Sequence, residues 1–69
     1  MFNTIEKVKI ISYAVKILER DIKDENISQE IYGEEIAKLA RMENDAIEYW
    51  AEQICNDPEV QEEVGIECA

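Results

Sequence analysis

An all-α fold, a small helical bundle in a single domain over residues 1–69, follows from three features of the sequence. Apolar residues recur at three- and four-residue intervals, which places them on one side of a helix. Glycine occurs twice and proline once, too seldom for a strand-and-turn protein. Apolar residues make up 46% of the chain, enough for a packed interior. A chain this short buries only about 60% of its unfolded surface, so its core is small and a partner or second copy would add stability.

The first helix is expected over about residues 4–24. Asn3 followed by Glu6 is a capping-box pattern, and Val8, Ile11, Val15, Leu18 and Ile22 repeat at helical spacing as its inner stripe. Ile5, Ile10, Tyr13, Ala14 and Ile17 lie off that stripe, so the helix is apolar over more of its circumference than one neighbour requires. Ile10, Tyr13, Ala14 and Ile17 are therefore candidates for a dimer or partner contact, unless a third segment of the same chain covers them.

The polar connection DENIS, residues 24–28, offers Asn26 or Ser28 as the cap of a second helix expected over about 28–55. Cys55-Asn56-Asp57-Pro58 ends it. Asp57 can cap a short helix over about 58–64, with Pro58 at its first position, Val60 and Val64 on one face, and Gly65 placed to stop it.

The middle of the chain admits two readings. As one helix, Ile36, Leu39, Ala40, Ile47, Trp50, Ala51 and Ile54 share a face, while Glu34, Lys38, Arg41, Asp45, Glu48 and Glu52 form a charged line. Gly33 is the main objection, at about 1 kcal/mol relative to Ala inside a helix. In the other reading the helix is broken near 33 and 41–44. The stretch EEIAKLARMENDAIEYWAEQI, residues 34–54, resembles a helix-turn-helix motif in its apolar frame: Ile36 and Ala37 on the first helix, Ala40 near its end, Met42 in the turn, Ile47 and Trp50 on the second. The resemblance implies that Ala37 lets the helices approach and that Ile47 and Trp50 anchor the second helix. The sequence departs from the family at the turn, where Arg41 replaces the usual Gly.

Charge separates fold from function here. The formal net charge is −10, but residues 1–23 carry five Lys/Arg against three acids, and residues 24–69 carry two against fourteen. In the helix-turn-helix reading the outward residues of the second helix would be Glu43, Asn44, Asp45, Glu48 and Tyr49, and none is basic. Neutralisation of phosphates by Lys and Arg supplies most of the affinity for DNA, so this surface is unsuited to nucleic acid and suited to a basic protein.

The sequence argues against catalysis and bound groups. Its carboxylates sit at the spacing of a solvated helix face, no histidine completes a zinc, di-metal or nucleophilic site, and NDPEVQEEVG lacks the order of a calcium loop. No cofactor is expected. Cys55 and Cys68 form no CxxC pair and are expected to be reduced and inert. Glu6, Lys7 and Lys9 interrupt what would be the apolar centre of a signal peptide, and no uninterrupted apolar run could cross a bilayer, so the expected location is the cytoplasm of a bacterial host, away from membranes.

The expected function is a non-enzymatic inhibitor or regulator whose acidic helical face, Glu34, Asp45, Glu48, Tyr49 and Glu52, meets a basic protein partner. In size, charge and helicity the chain resembles the small acidic nucleic-acid mimics of phages and mobile elements, including anti-restriction and anti-CRISPR proteins. The alternatives are a helical oligomerisation or adaptor module acting as a homodimer, and an antitoxin-like neutraliser. A DNA-binding regulator ranks last.

Overall fold

The computed structural model describes residues 2–68, which form a small all-α globule of four helices. Local chemistry accounts for where each helix begins. Helix α1, Thr4–Lys23, starts in the capping box: the Glu6 amide donates to Asn3 Oδ1 at 2.8 Å and the Asn3 amide to Glu6 Oε1 at 3.2 Å. Helix α2, Gln29–Ala40, is capped by Ser28, whose hydroxyl accepts from the Ile31 amide. Helix α3, Asn44–Cys55, follows Glu43 without a side-chain cap. Helix α4, Pro58–Val64, has Asp57 accepting from the Glu59 and Val60 amides, Pro58 in its first turn, and Gly65 in the left-handed conformation at its end.

The uninterrupted helix over 28–55 does not exist. The chain stays helical through Gly33, where an added Cβ would meet nothing within 4 Å, and breaks at Arg41–Glu43. A helix over 28–55 would be about 42 Å long at 1.5 Å per residue, and the molecule's longest dimension is 32 Å. Folding at the turn lets α2 and α3 pack on each other and both pack on α1.

The turn is closed by hydrogen bonds from the Met42 amide to the Leu39 carbonyl, 3.0 Å, and from the Glu43 amide to the Lys38 carbonyl, 3.1 Å. This is a Schellman motif, which needs a left-handed residue; Met42 takes that role at φ 53. The end of α1 repeats the device with Glu25 at φ 60, the Glu25 amide bonding the Ile22 carbonyl and the Asn26 amide the Asp21 carbonyl. Neither residue is glycine, so neither stop carried its usual signal.

Helix α3 supplies half of the buried core: Ala46, Ile47, Trp50, Ala51 and Ile54. Ile10, Ala14 and Leu18 of α1 pack on it, with Leu39 of α2 and Ile66 beyond α4. The inner face of α1 is thus rotated from the expected stripe. Only Leu18 of that stripe is buried; Ile11, Val15 and Ile22 are half-buried, and Val8 is 51% exposed. Ile10 and Ala14, candidates for a dimer or partner contact unless another segment of the chain covered them, are fully buried within this one chain. A helix with Ile and Val on most sides can turn about its axis at little apolar cost, and here the position of α3 decides the rotation.

The expectation of two reduced cysteines is also corrected. Cys55 and Cys68 form a disulfide, with Cα atoms 5.9 Å apart, which ties the end of α3 to the tail that follows α4. The same tail sends Ile66 into the core. It is held further by the Lys9 ammonium, which donates to the Gly65 carbonyl at 3.2 Å, and by Gln61 Nε2, which donates to the Ile66 carbonyl at 3.4 Å. Among the described residues, no helix is long and apolar enough to cross a membrane.

Candidate functional site

Helix α3 divides its surface sharply because apolar and acidic residues alternate at helical spacing. Trp50 faces inward, its indole N–H buried without an acceptor, while the adjacent Tyr49 is 56% exposed. Their rings meet edge to face, with centroids 5.5 Å apart. Asp45, Glu48 and Glu52 are exposed beside Tyr49 on successive helical turns, so the Cβ atoms of neighbouring members lie roughly 5–6 Å apart. The helix carries no Lys or Arg, and none of the three carboxylates forms an ion pair among the described residues.

Glu34 stands apart from this face. It is exposed on α2, beyond the turn, so the regular helical spacing expected to align it with Asp45, Glu48 and Glu52 is absent. The four other expected partner-binding residues are brought together on α3.

Next to this face lies a groove of about 450 Å³ between the end of α1, the α1–α2 connection, α2 and the start of α3. Its apolar surface comes from Leu18, Ile27, Ile31, Ala46, Tyr49 and Trp50. Its charged rim is Asp21, Glu35, Glu43 and Asp45, with Lys38 the one cation among the lining residues. Lys38 lies 3.6 Å from Glu35, and Arg41, outside the groove, holds Glu43 through Nη2 at 2.6 Å and Nε at 2.7 Å. Arg20 Nε is 3.9 Å from Asp21, whereas Asp45 has no such partner. The uncompensated charge of the rim therefore sits where the groove meets the α3 face.

The chain matches no family model, no curated protein and no solved structure. Function must then be argued from this geometry. Among the described residues, no three His, Cys, Asp or Glu side chains are grouped so as to hold a metal ion.

Of the residues expected at a dimer contact, Tyr13 and Ile17 remain half-buried at the surface and line a second groove, of about 460 Å³, between α1 and α4. Lys9, Lys16 and Arg20 border it, with Glu63 opposite. Neither groove was anticipated. Ile27 and Ile31, apolar residues belonging to no inner stripe, were the only trace of the acidic one in the sequence.

Proposed function

We propose that this protein is a non-enzymatic binding protein that presents the acidic side of α3 to a basic surface on a protein partner, in the manner of small inhibitors that imitate nucleic acid. One observation carries the reading. Asp45, Glu48 and Glu52 stand exposed along one side of a helix without cations, none of them engaged in an ion pair among the described residues. Like charges held one turn apart destabilise an isolated helix slightly and attract a basic groove from a distance. Tyr49, exposed in the middle of them, is one of the residue types enriched among interface anchors, with Trp and Arg.

The test is capture of partners from native lysate at low and moderate salt by the wild type and by a triple variant, Asp45→Asn, Glu48→Gln and Glu52→Gln. A nucleic-acid-binding protein that is lost with added salt, lost with the variant and released by competing duplex DNA supports the reading. Capture indifferent to salt and to the variant overturns it, as does tight binding of duplex DNA by the protein itself at low salt. An antitoxin-like neutraliser would use the same face and differ only in the partner recovered.

A homodimeric module is the second reading, and it now rests on different residues. Ile5 is 68% exposed and Val8 51%, three residues apart on the first turns of α1. A dimer by light scattering that becomes monomeric in Ile5→Glu, Val8→Glu, with the helical signal retained, would establish it.

A further inference from the structure

The three α3 carboxylates by themselves would hold a partner only by charge, and such contacts weaken as salt rises. The groove beside it adds what charge lacks. Ile31 is 48% exposed at its edge, Tyr49 stands at the junction of groove and face, and Leu18, Ala46 and Trp50 line it more deeply. Its volume, about 450 Å³, falls in the range of small-ligand pockets and is ample for a bulky side chain. Asp45 belongs both to the rim of this groove and to the line that continues through Glu48 and Glu52. An occupant with one apolar anchor and cations at one-turn intervals would satisfy both features at once.

We infer that the groove receives a bulky apolar side chain from an amphipathic basic helix of the partner, whose Lys or Arg residues pair with Asp45, Glu48 and Glu52. This inference rests on the acidic-face reading and narrows it to a helix-in-groove contact. Charge complementarity selects the occupant. The rim and the adjoining face repel an acidic segment, and an uncharged apolar segment would leave the three α3 carboxylates without partners. Apolar insertion sets how long the complex lasts, while the carboxylate line steers its encounter.

The chain's single tryptophan, Trp50, lines the groove and serves as the reporter. Two synthetic helical peptides of equal length and charge are titrated at low salt, one patterned with Lys and Leu, the other with Lys and Ala. The Lys/Leu peptide should bind about tenfold or more tightly, the effect of burying one large side chain in place of Ala, and should shift Trp50 emission. In Ile31→Ser, which alters a half-exposed edge residue, the advantage of the Lys/Leu peptide should shrink while the circular dichroism stays unchanged. Tyr49→Ala should do the same.

Equal affinity for the two peptides with unmoved Trp50 emission overturns the groove and leaves the acidic-face reading intact. A Lys/Leu preference that survives both variants places the apolar contact elsewhere and overturns it as well. If neither peptide binds at low salt, both readings fall together.

Discussion

Two grooves flank α1, nearly equal in volume at about 450 and 460 Å³, and they differ in how their charges are used. On the α4 side, Lys9, Lys16 and Arg20 face Glu63, and the Lys9 ammonium is engaged by the Gly65 carbonyl. That cation helps to hold the chain's own tail. On the α2–α3 side, Lys38 and Arg41 engage Glu35 and Glu43, while Asp45, Glu48 and Glu52 form no ion pair among the described residues. A net charge of −10 describes neither side. The contrast lies in where the cations stand: Lys9, Lys16 and Arg20 of α1 border the groove on the α4 side, whereas α3 carries none.

The largest expected effect strikes the core both sides share. Ile10→Glu places an unpaired charge in a fully buried position and should cost about 3–5 kcal/mol, on the order of the entire stability of so small a domain. Thermal or urea denaturation should therefore show an unfolded or barely folded protein. A well-folded Ile10→Glu would mean that α1 does not turn this face inward.

The next effect belongs to the α4 side alone. The disulfide closes a loop with a sequence separation of 13, and Cys68→Ser should lower stability by about 3 kcal/mol. Urea titration with and without reductant checks this: reductant should bring the wild type close to the variant and leave the variant itself unchanged. A wild type insensitive to reductant would show that the tail is held by Ile66 and Lys9 without the bond.

Smaller changes probe the acidic side. Gly33→Ala should raise stability by about 0.5–1 kcal/mol, since glycine in mid-helix is less favourable than alanine and the new methyl meets nothing within 4 Å. Met42→Gly should also stabilise, by up to about 1 kcal/mol, because it relieves a left-handed backbone at φ 53 while adding chain entropy to the unfolded state. A loss of stability in Met42→Gly would indicate that the Met42 side chain contributes more packing than its exposure implies. Neutralising Asp45, Glu48 and Glu52 should change stability least, within about 0.5 kcal/mol, and removal of repulsion gives a gain rather than a loss. Binding that vanishes while the denaturation midpoint holds would separate this surface from the scaffold.

Three of the four helix starts were legible because each is a local arrangement of a few residues; the start of α3, which follows Glu43 without a side-chain cap, was not. Asn3 with Glu6, Ser28, and Asp57 with Pro58 act where their sequence pattern places them, Ser28 being the one that caps of the pair Asn26 and Ser28 that the sequence offered. Tyr49 outward beside Trp50 inward was equally legible, since α3 has one clear apolar side. The rotation of α1 was not. Its Ile and Val residues surround the axis, so periodicity supported a stripe through Val8 as well as the true one through Ile10 and Ala14. The break at Arg41–Glu43 was open for a different reason: the left-handed position is held by Met42 rather than glycine, so the helix-turn-helix spacing, with Met42 in its turn, competed with an unbroken helix without the usual turn residue to decide between them.

Composition, caps and spacing by themselves determined an all-α fold and which side of the segment that becomes α3 is apolar. These depend on interactions between residues a few positions apart, which the order of the chain states directly. Tertiary structure alone decided which side of α1 is buried, that Glu34 leaves the α3 line, that Ile66 enters the core, that Cys55 meets Cys68, and that a groove opens beside Asp45. Each of these joins segments distant in sequence, and their relative placement is settled by packing rather than by local preference.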